Sequence, residues 1–352
     1  MTVRVGIVGC GLIGFVHSIT LRQLIEHRLV DAAVTATFDE QPERAVAFAA
    51  AHDGAVAYPD LQSLVTAVDA VWVCTWTASH REAVAAAAAE RRAVFCEKPL
   101  ATTLAGAEAV ADLLRPIPHQ VGLVLRSVPA FQALAAEVHR GEHGATLAVV
   151  FRDDQYFPIQ GLYGSDWRAD VTRAGGGTLL EHSIHDVDVL RWLLGDPDRV
   201  QANVASRFGY PGIEDVAALT CTYPDHAVAT LTSVWHQVLS RGSSRRVEVF
   251  CERALLWLDD DFTGPLHIET GDGTTAVTTD PPAWTGQLQA PPVVARAVSE
   301  YGPASKAFLD ALAAGVPTPG PHVDSSVAAH RIVDAAYRSA AAGGEAIAPS
   351  AR

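Results

Sequence analysis

The residues best suited to proton transfer in this 352-residue chain lie close together, at Glu181, His185 and Asp188. They are four and three residues apart in a segment whose apolar residues recur at helical spacing, which predicts that they share one face of a helix. A carboxylate that orients an imidazole can act as a general base near neutral pH. The alternative interpretation is that His185 is a core histidine bonded to its neighbours. A second reactive residue must decide between the two.

Three consecutive glycines, residues 175–177, come just before this segment. Glycine lets the backbone turn sharply and approach a ligand closely. We therefore expect a helix to begin here beside a small ligand. The alternative is that the glycines only end a loop.

Lys98 is the second reactive residue. It lies in the sequence Glu97-Lys98-Pro99, directly after an apolar run at residues 93–96 that predicts a core strand. A lysine at a strand end can hydrogen-bond a substrate hydroxyl or polarise a carbonyl, and the neighbouring proline restricts the turn. An ordinary solvated lysine is the alternative. The position between a core strand and a proline favours the chemical role.

The chain opens with a pattern typical of dinucleotide binding. A strand predicted at residues 3–8 leads into the motif Gly9-Cys10-Gly11-Leu12-Ile13-Gly14, and an amphipathic segment follows. In this context the glycines permit a tight turn, approach of a pyrophosphate to the helix N-terminus, and close packing of helix on strand. A second strand ends in Asp39, where the ribose-binding acid is expected. Asp39 and Glu40 would repel a 2′-phosphate, so NAD is favoured over NADP.

Short apolar runs alternate with helical segments up to residue 124, which predicts a doubly wound parallel sheet. Ligand loops of such a sheet lie at the carboxyl ends of its strands. Two of these ends carry residues predicted to bind the cofactor: Thr75, Trp76, Thr77 and His80 after one strand, and Glu97 and Lys98 after the next.

The second half follows a different pattern. Strand-like runs with turn residues between them predict a meander of strands, closed by helices near residues 304–314 and 325–341. The predicted strands are residues 200–207, 215–223, 227–237, 246–251 and 254–258.

Composition limits the function classes. The formal net charge of −14, without a basic run, argues against nucleic acid or an anionic membrane surface as partner. Five scattered cysteines without a C-x-x-C pair predict neither a disulfide framework nor a zinc site. His182 and His185 lack a third residue at metal-ligand spacing, so no metal is predicted. A strand-like start and the lack of a membrane-length apolar run predict a cytoplasmic protein.

The glycine motif, Glu97-Lys98-Pro99, and the glycine segment with Glu181, His185 and Asp188 resemble the Gfo/Idh/MocA oxidoreductases. The resemblance runs over nearly the whole chain, with the motifs in the same order. It implies a Rossmann domain over residues 1–126. Residues 127–352 would then form a substrate-binding α/β domain, whose open and mostly antiparallel sheet often makes the oligomer interface. A homo-oligomer, dimer or tetramer, is therefore expected.

The resemblance also implies roles for individual residues. The family's catalytic lysine falls on Lys98 and its catalytic histidine on His185, while Glu181 stands where aspartate is common. Three further residues match family segments that border the substrate: Arg126, Trp167 and Arg168. Trp76 departs from the family, because proline is usual there.

These observations together predict an NAD(P)-dependent dehydrogenase that moves hydride between the nicotinamide and a secondary alcohol or ketone of a cyclic polyol or sugar. In this hypothesis His185 is the base, Glu181 orients it, and Lys98 bonds the reacting oxygen. Two alternatives share the scaffold, namely an NAD-retaining glycoside hydrolase and a non-catalytic NAD- or sugar-binding regulator. The candidate sugar contacts, each with burial or surface exposure as the alternative, are Tyr156, Tyr163, Asp166, Trp235 and His236.

Overall fold

The computed structural model describes residues 2–161, 163–260, 262, 264–288 and 290–349. They form two compact units. The first consists of Met1–Ser127 and Pro282–Val327, and the second of Val128–Pro281 and Ala328–Arg352. A segment from the C-terminal half of the sequence thus packs with the first unit.

The first unit contains a six-stranded parallel sheet in the order β3-β2-β1-β4-β5-β6. Its strands are β1 Val3–Val8, β2 Ala32–Phe38, β3 Val56–Ala57, β4 Ala70–Val73, β5 Ala93–Cys96 and β6 His119–Val121. The helices between them are α1 Leu12–Glu26, α2 Pro42–Ala49, α3 Leu61–Ala67, α4 His80–Ala89 and α5 Leu104–Leu114. The predicted doubly wound arrangement is confirmed.

The central strands of this sheet are covered on both faces. Every residue of β4 and β5 is buried, as expected of continuous apolar runs in a parallel sheet. On one face Trp72 stacks on Phe95 with a centroid distance of 5.4 Å. Phe308 packs edge-on against both rings, at 5.5 and 5.9 Å. Phe308 belongs to α9, Pro292–Ala314, and this contact is why the late segment joins the first unit.

The second unit is built on an eight-stranded sheet in the order β14-β13-β12-β11-β7-β10-β9-β8. All neighbouring strands are antiparallel except β10 and β7. The strands are β7 Thr146–Tyr156, β8 Arg199–Ala205, β9 Val216–Thr222, β10 Val228–His236, β11 Ser244–Cys251, β12 Leu255–Leu258, β13 Leu266–Thr270 and β14 Gly273–Val277. The helices α6 Pro129–Arg140, α7 Val171–Ala174 and α8 Ile184–Leu194 precede or interrupt this sheet in the chain.

The sequence pattern missed the central strand β7. Its apolar first half runs into Arg152, Asp153 and Asp154, which break the alternation expected of a half-buried strand. Both aspartates are nevertheless buried. They are accommodated because arginines from the region of β11 pair with them.

The C-terminal helices begin earlier than predicted. α9 starts at Pro292, a residue type that suits the first helical position because its missing N–H would have no helical partner there. α10, Val323–Ala341, agrees with the prediction to within two residues at its start. None of the helices in the described part of the chain is long and apolar enough to cross a membrane.

Candidate active site

The glycine motif forms a tight turn between β1 and α1. Gly9 has φ of +92°, a left-handed conformation that favours glycine, and a Cβ there would lie 2.6 Å from the backbone of Thr75. A Cβ on Gly14 would lie 2.1 Å from the Gly9 carbonyl oxygen. Gly11, by contrast, has no atom within 4 Å of its Cβ position among the described residues. The loop is therefore crowded on its protein side and open at Gly11.

The open side of this loop is the N-terminus of α1. Among the described residues no side chain caps its first turn, and the turn carries no acidic residue. Exposed N–H groups and the positive end of the helix dipole suit an anion such as a pyrophosphate. Asp39 Oδ2 accepts a hydrogen bond from Cys10 N at 2.7 Å, and Oδ1 accepts one from Gln41 N at 2.9 Å. This carboxylate is therefore fixed beside the loop, where it suits ribose hydroxyls.

The cysteine within the motif does not add reactive chemistry. Burial and the nearby Asp39 carboxylate raise the pKa of Cys10 to about 12. The thiol therefore stays protonated near neutral pH and serves as a small packing group.

Glu97 anchors the loop that carries Lys98. Its Oε1 lies 2.7 Å from His17 Nε2, and its Oε2 accepts a hydrogen bond from Lys98 N at 3.2 Å. A Cβ on Gly122 would lie 2.6 Å from Glu97 Oε1, so a larger residue there would displace this carboxylate. Burial alone would raise the pKa of Glu97, but the hydrogen bond and charge of His17, together with Lys98, lower it. Glu97 therefore remains a carboxylate, and Lys98 itself is partly exposed.

His17 was not singled out from the sequence. It lies on α1, three residues after the last glycine of the motif, and is fully buried. Its ring contacts Phe95 and Tyr301 edge-on, at centroid distances of 5.2 and 5.5 Å. The signal that could have found it is an ionisable side chain directly after the glycine motif, on the helix predicted to pack against the sheet.

The loop after β4 separates into two pairs of residues. Thr75 and Trp76 are partly exposed, whereas Thr77 and His80 are buried. His80 Nε2 lies 3.2 Å from the Thr75 carbonyl oxygen, and burial lowers the pKa of this histidine. His80, predicted to touch the cofactor, thus holds the loop from inside the unit.

The predicted cofactor residues and Lys98 follow the strands β2, β1, β4 and β5, which are neighbours in the sheet. Because these strands are parallel, the glycine motif, Asp39, Thr75 and Lys98 lie along one edge. Arg126 follows β6 in a 3₁₀ turn, Val124–Ser127, at the same edge. The strand order reverses between β1 and β4, and the crevice at such a point is where α/β sheets bind ligands.

In the second unit the glycine segment is crowded by the chain itself. Gly175 has φ of +83° and ends α7. A Cβ on Gly176 would lie 2.4 Å from the Tyr337 hydroxyl, and one on Gly177 would lie 1.8 Å from the Glu214 carbonyl oxygen. The sequence predicted that a ligand approaches these glycines closely; at Gly176 and Gly177 the atoms that do so belong to the protein itself.

Glu214 holds this segment in place and was not recognised from the sequence. Its carboxylate accepts hydrogen bonds from Gly177 N at 2.7 Å, Leu179 N at 2.9 Å and the Tyr337 hydroxyl at 3.0 Å. Burial raises the pKa of Glu214 although these donors lower it. An acidic residue just before an apolar strand was the available signal.

The predicted single helix is interrupted. Thr178–His182 form one turn of π-helix, Ser183 follows, and α8 begins at Ile184. Glu181 therefore lies in the π turn and His185 in the first turn of α8. The wider π turn breaks the 3.6-residue period between these two residues. Asp188 lies further along α8 and is buried.

Trp167 and Arg168, which are adjacent in the sequence, lie beside Glu181. Arg168 Nε is 3.5 Å from Glu181 Oε2, and the Arg168 guanidinium lies 4.3 Å from the Trp167 ring centroid. Glu181 and His185 are 2% and 7% exposed. The structure therefore brings together the predicted residues Trp167, Arg168 and Glu181.

The candidate sugar contacts differ in environment. Trp235 is 1% exposed and packs on Phe157 at 4.9 Å, so it is a core residue. His236 Nε2 lies 3.4 Å from Asp154 Oδ2. Tyr156 and Tyr163 contact each other at a centroid distance of 5.1 Å. In the described residues no group of three or more His, Cys, Asp or Glu side chains is arranged to hold a metal ion.

Comparison with known protein families shows which family this chain is related to. One family model, an oxidoreductase family with an NAD-binding Rossmann fold, matches residues 3–122. A second, the GFO/IDH/MocA C-terminal domain, matches residues 131–256. The chain belongs to the Gfo/Idh/MocA oxidoreductase family. This confirms the resemblance inferred from the motifs, the fold class and NAD as the cofactor.

Relatives and solved structures agree with this assignment. An inositol 2-dehydrogenase of Rhizobium meliloti is 27% identical over 357 residues, 97% of this chain and 98% of the relative. An inositol 2-dehydrogenase of Cereibacter sphaeroides is 34% identical over 223 residues, 61% of this chain and 62% of the relative. A levoglucosan dehydrogenase solved with NADH and levoglucosan shares the fold with a TM-score of 0.87 at 21% identity, and 100% of each chain is covered.

Proposed function

We propose that this oxidoreductase uses NAD to oxidise a secondary hydroxyl of a cyclic polyol or sugar, or reduces the corresponding ketone. The observation that carries the proposal is the position of Lys98. It follows β5 at the same sheet edge as the glycine motif, on a loop anchored by buried Glu97. Relatives named as inositol dehydrogenases support the substrate class.

Each reactive side chain has one task in this proposal. His185 takes the proton of the reacting hydroxyl, and Glu181, which is itself held by Arg168, orients this base. Lys98 donates a hydrogen bond to the same oxygen and stabilises the negative charge that develops there. When NAD is bound by the glycine motif and Asp39, its nicotinamide supplies the hydride acceptor.

The charge pattern favours an uncharged substrate. Arg168 is paired with Glu181 inside the second unit, and in the first unit the charge of Lys98, after that of His17, helps to keep buried Glu97 ionised. Both cations therefore already have a counter-charge within the protein. A substrate rich in hydroxyl groups matches such a site better than a carboxylate or phosphate, which needs an unneutralised cation.

We also propose a cytoplasmic homo-oligomer that associates through the open face of the second unit's sheet. Strand register places Val150, Phe250 and Val228 on that face, and they are 42%, 38% and 36% exposed. An antiparallel sheet can leave one face to solvent, but exposed apolar side chains such as these three suit a protein contact. Light scattering of the wild type and of Val150→Arg tests this, since a wild-type monomer would contradict it.

The experiment for the activity is near-ultraviolet absorbance of nicotinamide reduction, with NAD and NADP in parallel, over inositols, aldoses and their glycosides. We expect reduction of NAD with one polyol or sugar class. Cleaved glycoside without net NADH would favour the NAD-retaining hydrolase. Cofactor binding with no turnover in either direction would favour a regulator. Either of these two results would overturn the proposal.

A further inference from the structure

A buried group of charged side chains surrounds Asp186, the residue directly after His185. We call Asp153, His182, Asp186 and Arg245 the Asp186 cluster. Asp153 and Asp186 are both 0% exposed, and Arg245 is 4% exposed. The four residues come from β7, the π turn, α8 and β11, so the cluster joins the helix that carries His185 to the centre of the sheet.

Specific contacts connect these elements. Arg245 Nε donates to Asp186 Oδ1 at 2.7 Å, and Arg245 Nη2 lies 3.4 Å from Asp153 Oδ2. His182 Nε2 lies 3.1 Å from Asp153 Oδ1. The Ser183 hydroxyl donates to Asp153 Oδ2 at 2.9 Å. The cluster thus holds the chain just before and just after His185, at the break between the π turn and α8.

We propose that Asp186 and Arg245 are positioning residues for His185, and that Asp186 carries a proton in the active enzyme. The proposal rests on the function proposed above, because it takes His185 as the base. Asp186 and Arg245 act through the backbone of α8, which fixes the direction of the imidazole. A base displaced by about 1 Å can lose about 100-fold in rate.

The proton follows from charge balance. Two carboxylates and one guanidinium, all at most 4% exposed, leave a net charge of −1, and burying that charge is costly unless a proton neutralises it. Protonation of His182 would place an imidazolium 3.2 Å from Arg245 Nη2, so two like charges would meet.

Asp186 is the better site for that proton. Asp153 is the more stabilised carboxylate, because it faces Ser183, His182 and Arg245, whereas the ion pair of Asp186 is with Arg245. Consistently, burial and the Asp153 charge raise the pKa of Asp186 to about 8, although the Arg245 guanidinium lowers it.

Substitutions separate a protonated Asp186 from a charged one. Asp186→Asn copies the shape and hydrogen bonding of the protonated acid, so we expect kcat near the wild-type value at pH 7. Asp186→Ala and Arg245→Met should lower kcat by about 100-fold while the KM for NAD stays unchanged. Above pH 8 wild-type kcat should fall relative to that of Asp186→Asn, since only the wild type can ionise there. The matched control is Asp196→Asn, which breaks the Arg191–Asp196 pair, whose aspartate side chain is 70% exposed.

Two results would overturn the positioning role. One is an Asp186→Asn enzyme as impaired as Asp186→Ala, which would mean that the charge of Asp186 is needed. The other is unchanged kcat in both Asp186→Ala and Arg245→Met, which would mean that the cluster does not position His185.

Infrared spectroscopy of the wild-type enzyme tests the proton without any variant or substrate. We expect a protonated carboxyl band at pH 7 that disappears with a midpoint near the raised pKa of about 8 and is missing in Asp186→Asn. A wild type without this band at pH 7 overturns the assignment of the proton. If the chain shows no dehydrogenase activity, the proposed function fails while the infrared result still decides the protonation of Asp186.

Discussion

Replacing His17 by leucine should destabilise the first unit far more than removal of an ordinary buried histidine. Leucine fills much of the space of the ring but leaves the Glu97 carboxylate buried without the imidazole that lies 2.7 Å from it. Leaving a buried charge without its partner costs about 3 to 5 kcal/mol. For a unit of this size each kcal/mol lowers Tm by about 2 to 4 °C, so we expect a fall of roughly 10 °C.

His52 provides the matched control. It is also buried, but its partner is neutral, because His52 Nε2 lies 2.7 Å from the Ser18 hydroxyl. Burial, with a smaller effect of Arg22, lowers the pKa of His52 to about 4, so this histidine is uncharged at pH 7. Its hydrogen bond contributes only about 1 kcal/mol. Urea unfolding of His17→Leu and His52→Leu at pH 7 compares the two. Equal losses would refute an ionised Glu97 held by His17.

The pH dependence of the unfolding free energy should differ in sign between the wild type and His17→Leu. In the wild type the pKa of Glu97 is lowered, so its stabilisation is complete above the usual carboxyl pKa and is lost as the pH falls below it. In His17→Leu burial would raise the pKa of Glu97 instead. The folded variant then binds a proton that the unfolded chain releases, and its unfolding free energy should fall as the pH rises, by up to about 1.4 kcal/mol per pH unit. Parallel pH profiles for the two proteins would contradict this account.

Three further predictions concern Gly177, Gly11 and Lys98. Gly177→Ala should lower the free energy of unfolding by about 3 kcal/mol, because its Cβ would meet a backbone oxygen at 1.8 Å. Gly242→Ala, with no described atom within 4 Å of its Cβ, should unfold like the wild type. Similar urea midpoints for the two variants would argue against crowding at Gly177. Gly11→Ala should keep wild-type stability but weaken NAD binding about tenfold or more by calorimetry, and unaltered affinity would exclude close approach of the cofactor there. Lys98→Ala should lower kcat by about 100- to 10,000-fold while the protein stays folded. Lys306→Ala removes an ion pair on a helix surface and should leave kcat unchanged. Comparable turnover in the two variants would show that Lys98 has no part in the mechanism.

Much of the first unit could be predicted because its information is local. The glycine motif, the acidic residue at the end of β2 and the apolar runs of β4 and β5 each specify their own structure within a few residues. Parallel strands separated by helices leave few arrangements, so the sheet and its ligand edge follow. The position of Lys98 at that edge is a consequence of its place directly after β5.

The break between Glu181 and His185 could not be predicted in this way. The apolar spacing through residues 180–194 is that of one continuous helix, yet the chain forms a π turn first. That turn depends on Glu214, which lies 37 residues from Gly177 and accepts its N–H. A local pattern cannot report a hydrogen bond to a residue so distant in sequence.

His17, Asp153 and Arg245 escaped prediction, and each is an ionisable residue buried against a partner distant in sequence. His17 and Glu97 are 80 residues apart, and Asp153 and Arg245 are 92 apart. Charged residues are ordinarily exposed, so a sequence pattern places them in loops or on surfaces, as happened for β7. Burying them costs free energy unless geometry is specific, and departures of this kind from local rules concentrate at functional sites. Glu97 of the first pair directly precedes Lys98 in the sequence, and Arg245 of the second pair contacts Asp186, which directly follows His185. Buried charged residues close to a reactive residue are therefore the first groups to test as the residues that position Lys98 and His185.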